Sequence, residues 1–176
     1  MLRHRTVLKW TPRLGFGLIL YFFLVEPEEN RADPGGALST HAGMEVLLAL
    51  IVALWLGVYL RKGLAVRPGP KLPGWAKRFH GLNHKVLQRG VPAVVATGAF
   101  AGLAAPFVIR AFGLVQINPA AVPMGLHKLA QEVHEIAFDA LIVLVVLHAL
   151  FHLWRQFLLK DNALRIMLPK VLHKHI

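Results

Sequence analysis

The sequence predicts an all-α membrane protein, a bundle of four transmembrane helices with both termini on the cytoplasmic side. Of its 176 residues, 56% are apolar and only 16% are charged, which is too little charge to cover the surface of a soluble domain of this size. Four apolar stretches are long enough, or nearly so, to cross about 30 Å of hydrocarbon. The basic residues lie in the gaps between these stretches, as the loops of membrane proteins require.

We interpret residues 1–176 as a single transmembrane domain. The first span is short, and Pro12 fits its opening turn. The third is rich in Ala and Gly and contains Gly98 and Gly102, spaced as in close helix packing. The tail 161–176 mixes apolar residues with Lys and His and is expected to lie in the membrane interface. In chain order, the four predicted spans are residues 10–25, 41–60, 86–109 and 128–158.

The basic residues also predict the orientation. Seventeen of the 20 Lys and Arg residues fall at the two termini or between the second and third spans, and only Arg31, Arg110 and Lys128 fall on the other side. The positive-inside rule therefore places both termini in the cytoplasm of a multi-pass protein of the bacterial inner membrane. The first span lacks a cleavage site and reads as retained. A net charge of +11 could indicate a nucleic-acid partner. We expect none, because the basic residues are not gathered on one face of the folded chain.

Ten histidines and no cysteine narrow the chemistry. Thiolate metal sites, disulfides and cysteine nucleophiles are excluded. Of the histidines at or within the spans, His41, His134 and His148 are the most informative, because ionisable groups at that depth are costly and usually functional. His41 and His134 each lie early in a helix that enters from the outer side, so they reach a similar depth. Paired imidazoles on separate helices are what a bis-histidine haem requires.

The fourth span carries a second candidate ligand. His148 follows His134 by fourteen residues, a rise of about 21 Å with a rotation of about 40°, so one helix face could serve two haems. His152 shares this face and reads as a headgroup-level residue or a quinone-site neighbour. His84 could face the inner site, whereas His80 is expected to be solvated. Four further histidines read as solvated: His4, His127, His173 and His175. For any one of these residues, the plainer interpretation is a hydrogen-bonded interfacial histidine.

Several motifs now point to a known family. The fourth span contains Val133-His134-Glu135, and His148 follows at the family's spacing. Lys160-Asp161-Asn162-Ala163-Leu164 comes next, with Met-Leu-Pro near the end. With His41 opening the second span, nearly the whole chain resembles the bacterial cytochrome b561 family, of the small four-helix type that includes the superoxide:ubiquinone oxidoreductase.

The resemblance implies a b-type haem cytochrome with haem held between its helices. It assigns the outer haem iron to His41 and His134, and the inner haem iron to His148 and a first-helix histidine. Lys9 stands at that last position, before Trp10. Three readings follow: Lys9 replaces the histidine as ligand, His84 supplies the bond, or the inner haem is absent or five-coordinate. The haem count is therefore one or two.

A late fourth-helix histidine that the family links to quinone corresponds to Arg155 here. Arg155 is therefore a candidate quinone-site residue, and His84, which could face the inner site, is a second one. The expected substrate is ubiquinone or menaquinone. No protein nucleophile or catalytic triad is visible, so any catalysis should be redox.

The expected function is electron transfer between a periplasmic redox partner, or superoxide, and the quinone pool. Eight acidic residues against three basic ones fall in the outer half of the chain. Such a face repels superoxide and suits a cationic partner such as a soluble cytochrome c. The alternative interpretation is that these acidic residues are ordinary solvated loop residues with no role in binding. Two other classes stay open, a haem-binding anchor subunit of a larger oxidoreductase complex and a haem-free scaffold.

Overall fold

The computed structural model describes residues 4–25, 36–62 and 72–161. Three helices are long and apolar enough to cross a membrane, and a fourth contains a shorter apolar stretch, Arg13–Leu24. The prediction of an all-helical membrane protein is thus confirmed, and the fourth span stays a prediction. A short antiparallel hairpin that was not predicted joins the last two helices. The elements are α1 (His4–Leu24), α2 (Ala37–Lys62), α3 (Gly74–Leu103), β1 (Arg110–Ala111), β2 (Val115–Gln116) and α4 (Met124–Phe157).

The third helix ends before the predicted boundary. We expected the span to reach Ile109, but α3 ends at Leu103. Pro106 follows closely, and it disfavours helical geometry at the residue before it. The Asn118 amide then donates to the carbonyl oxygens of Ala105 and Phe107 at 3.0 and 2.8 Å, and its oxygen accepts the N–H of Ile109 at 2.8 Å. One side chain therefore satisfies backbone groups of the irregular segment that follows the helix.

The hairpin packs on the start of α2. The carbonyl of Ser39 accepts the N–H of Phe112 at 3.0 Å, and its hydroxyl oxygen accepts the N–H of Gly113 at 2.6 Å. Phe112 has a positive φ of 51°. A Cβ built at Gly43 would lie 2.5 Å from the Phe112 ring, so only glycine allows this approach.

The chain forms two compact units. The first comprises Met1–Ala65 with Val91–Phe138, and the second comprises Val66–Gly90 with Asp139–Ile176. Small residues such as Ala101, Ala104 and Ala130 form part of the buried core of the first unit. The core of the second contains Leu72, Ala76 and Phe151. Large apolar side chains are widely exposed on the helices, as a hydrocarbon environment allows.

Candidate functional site

In the first unit, α2, α3 and α4 meet around a glycine. A Cβ at Gly98 of α3 would lie 2.8 Å from Cε1 of His134 on α4, and it would overlap Oε1 of Glu45 on α2. Glu45 follows His41 by one helical turn, so the two side chains share a face of α2. The missing side chain at Gly98 therefore lets the histidine-bearing faces of α2 and α4 approach each other.

The ring of His134 is oriented through one of its nitrogens. Oγ1 of Thr97 lies 3.2 Å from Nδ1 of His134, and the same hydroxyl donates to the carbonyl oxygen of Val94 at 2.9 Å. A hydroxyl has one hydrogen to give, so this arrangement makes Nδ1–H of His134 the donor to Thr97. The proton on Nδ1 leaves Nε2 with a free lone pair, the form in which imidazole binds metal ions.

Two polar atoms of α2 are buried without a partner in the described part of the chain. Nδ1 of His41 and Oε1 of Glu45 are buried without a hydrogen bond among the described residues. The His41 ring packs against Phe22 of α1, with ring centroids 4.8 Å apart. Unsatisfied buried polar atoms are costly and uncommon. They indicate a site that a further group completes, and the donor set of two imidazoles fits haem iron.

The second unit brings four histidines together. Ring centroids are 4.4 Å apart for His80 and His84, 4.9 Å for His84 and His148, and 4.5 Å for His148 and His152. Nδ1 of His148 donates to Oδ1 of the buried Asn83 at 2.7 Å. Like His134, His148 thus keeps Nε2 available as a ligand.

Aromatic and charged side chains surround this cluster. Phe151 contacts Trp154 at a centroid distance of 5.5 Å, and Trp154 contacts Trp75 at 5.3 Å. The buried Arg155 forms an ion pair with Asp161, with Nη2 and Oδ2 2.7 Å apart. The predicted quinone-site arginine is therefore engaged with a carboxylate and turned away from solvent.

Two histidines contradict the expectation of a solvated side chain, and a third, His152, is buried as well. His80 and His152 are each 4% exposed and His127 is 8% exposed, so the expectation of solvated side chains at His80 and His127 is wrong. The ring of His127 lies 3.2 Å from the carbonyl oxygen of Ala101, which replaces its hydration. The sequence did carry a signal for the histidine cluster: His80 and His84, like His148 and His152, are four residues apart, and this spacing puts the members of each pair on one helix face.

The remaining residues of interest were either not predicted or do not take part in the described sites. The orienting residues Thr97 and Asn83 were not predicted. Glu135 and Asp139 are exposed on α4. Lys9 lies within α1, but its side chain falls outside the described residues.

Long apolar helices that carry paired histidines are typical of membrane cytochromes, a class of proteins in which imidazoles from separate helices hold haem. The family model for prokaryotic cytochrome b561 matches residues 5–170, and the chain therefore belongs to that family. Membership makes it a membrane protein of b-type haem electron transfer. No curated protein matches the chain.

Proposed function

We propose that this chain carries electrons between a redox partner on the periplasmic side and the quinone pool, as a multi-pass protein of the bacterial inner membrane. The observation that carries the proposal is the first-unit site, where His134 is oriented by Thr97 and meets the His41–Glu45 face of α2 over Gly98. Bound haem would supply one-electron chemistry there. The protein residues supply the ligands, their orientation and exclusion of water.

In this proposal His41 and His134 ligate the outer haem iron. Thr97 fixes the tautomer of His134 and thereby presents Nε2 to the metal. Phe22 packs on His41 and limits the directions that its ring can take. Gly98 keeps the space between the helices open.

His148 is the proposed ligand of an inner haem, oriented by Asn83. Two imidazoles that would hold one haem iron must leave room for the haem between them. His84 and His148 instead touch edge to face, with an interplanar angle of 88°. This contact argues against His84 as the second inner ligand, and we propose Lys9, or an open coordination position, in its place.

The proposed outer partner is cationic, such as a soluble cytochrome c. Glu132, Glu135, Arg110 and Lys128 are all exposed, so these four charges balance. Oε1 of Glu45 is buried, which removes one of the eight acids from the surface. The acidic excess therefore comes from Asp139 and, for the most part, from residues 26–33, which lie outside the described structure. Superoxide oxidation is the less favoured reaction because that segment carries a net negative charge.

A second candidate function is a haem-binding subunit of a larger oxidoreductase complex. Asp139 is exposed within α4, and its neighbours Ile136 and Val143 are 70% and 58% exposed. A carboxylate on such a surface is costly in hydrocarbon, and a neighbouring subunit would give it a partner. Family membership argues against the haem-free scaffold.

Anaerobic mixing tests the quinone step. The purified protein is placed in liposomes, reduced with dithionite and freed of the excess dithionite. A ubiquinone or a menaquinone analogue is then added. We expect the reduced haem bands to decay at a rate that rises with quinone concentration. Haem that stays reduced with both quinones would contradict the proposal. Adding superoxide to the oxidised protein tests the alternative, and we expect slower haem reduction than with reduced cytochrome c.

A further inference from the structure

The geometry points to a second metal site, one that binds a single divalent transition-metal ion of the zinc type through His80, His84 and His152. The site lies wholly within the second unit, and it goes beyond the electron-transfer function. It uses neither residue of the outer pair.

The three side chains already converge. One candidate ligand nitrogen from each of His80, His84 and His152 lies within 4.8 Å of the other two. Zinc bound by imidazole nitrogens at about 2.0–2.1 Å in tetrahedral geometry sets those nitrogens about 3.3 Å apart. Closing the site therefore needs a contraction of about 1.5 Å at most, which side-chain rotation can supply.

The positions of the ligands suit this role. His80 and His84 are four residues apart on α3, and two histidines at this spacing project from one helix face as a ready metal pair. His152 of α4 supplies the third ligand from across the unit. His148 is on the same face of α4, but it is not one of the three histidines whose nitrogens converge, and its Nε2 is the proposed ligand of the inner haem. The trio is thus distinct from the proposed haem ligand.

His152 gives an independent sign of a missing partner. Its side chain is buried, and both Nδ1 and Nε2 lack a hydrogen-bond partner among the described residues. A neutral imidazole has one donor and one acceptor, and leaving both unpaired at depth is costly. A metal ion on either nitrogen removes part of that cost.

The charges around the trio allow a cation. The nearby guanidinium of Arg155 is paired with the Asp161 carboxylate at 2.7 Å, so its charge is compensated. Three imidazoles without a carboxylate suit zinc, copper or nickel and do not suit magnesium or calcium. Three protein ligands leave the fourth position of a tetrahedral ion open, and the ion would tie α3 to α4.

Zinc binding to the full-length protein tests the inference. The protein purified in detergent is treated with EDTA, freed of chelator and titrated with Zn²⁺ by calorimetry. We expect about one tight zinc per chain in the wild type, and its loss in both His84→Gln and His152→Gln. The double control variant His173→Gln/His175→Gln, outside the trio, should keep it.

Zinc-edge X-ray absorption on the double tail variant provides the second measurement. Imidazole scattering from about three histidines is expected. Because this readout uses a chain with an intact trio, it stands even if His84→Gln or His152→Gln fails to fold. An oxygen-dominated shell would overturn the site. So would zinc binding that survives in His84→Gln and His152→Gln but disappears in the tail variant.

Discussion

Oγ1 of Thr97 lies 3.2 Å from Nδ1 of His134, and this contact makes a polar residue of α3 the orienting partner of a histidine on α4. The same relationship recurs in the second unit, where Asn83 of α3 accepts from Nδ1 of His148. Both α4 histidines thus expose Nε2. The protein therefore orients two potential iron ligands in the same way.

Thr97→Val removes the hydroxyl that fixes the tautomer of His134 while nearly keeping the side-chain volume. Loss of such an orienting partner typically weakens metal binding about 10–100-fold. We expect weaker outer haem retention and a shifted reduction potential, measured by haem titration and by redox titration of the visible bands. Thr97→Ser keeps the hydroxyl and should behave as the wild type. Equal behaviour of the Val and Ser variants would show that the hydrogen bond has no role.

Asn83→Leu should act on the other site. It removes the acceptor for Nδ1 of His148 and leaves Thr97 and His134 untouched, so any inner haem should be lost while the outer haem stays. Haem per chain and the redox titration measure this. If the wild type holds two haems, the ratio should fall to about one. Loss of the outer component alone would contradict the assignment of His148 to a separate site.

Gly98→Ala tests the space around which α2, α3 and α4 meet. The added methyl group would displace Glu45 or push His134 from its position, so we expect outer haem content to fall. Gly102→Ala is the matched control on the same helix, because a Cβ there meets nothing within 4 Å. Haem absorbance per chain compares the two variants. Equal haem in Gly98→Ala and Gly102→Ala would refute the close approach.

Gly43→Ala concerns stability. Its Cβ would lie 2.5 Å from the Phe112 ring, so the hairpin must shift, and overpacking of this kind costs about 1–3 kcal/mol. We expect a lower unfolding temperature in detergent. Gly57→Ala, also on α2, meets nothing within 4 Å and should be neutral or slightly stabilising. A Gly43→Ala protein as stable as Gly57→Ala would show that the hairpin does not pack here.

Parts of the structure were predictable because they depend on local patterns. Apolar length predicted α2 and α4. The pairing of His41 and His134 was inferred from their similar depth in two helices, and their role as haem ligands stays a prediction. The end of α3 at Leu103 was missed although Pro106 was a local signal for it. The path of the chain after the helix was not predictable, because Asn118 binds the carbonyls of Ala105 and Phe107 from 13 and 11 residues further along. A lone asparagine carries no pattern that reveals such a role.

The orienting residues were missed for a similar reason. Thr97 and Asn83 are ordinary polar residues in the sequence, and only the packing of α3 against α4 gives each a histidine partner. The burial of His80 also depends on tertiary contacts, since Phe151 of α4 lies 6.0 Å from its ring. Neighbouring Lys and Arg residues suggested solvent instead.

The acidic segment gives a prediction about the partner. Replacing Glu26, Glu28 and Glu29 with Gln removes three of the outer negative charges. We expect slower electron exchange with cationic cytochrome c at low salt, because electrostatic steering is lost, and a smaller dependence on ionic strength. Stopped-flow mixing measures both, and reduction by a small neutral reductant should not change. An unchanged rate with cytochrome c would exclude this segment as the docking charge.

Haem per chain in His41→Ala and in His134→Ala tests the central claim most directly, with His127→Gln as a buried-histidine control in the same unit. If His41 and His134 ligate one iron, each alanine variant should lose the low-spin signal of that haem, and about one haem per chain. His127→Gln should keep it. Wild-type haem content with an unchanged low-spin signal in either alanine variant would contradict the account.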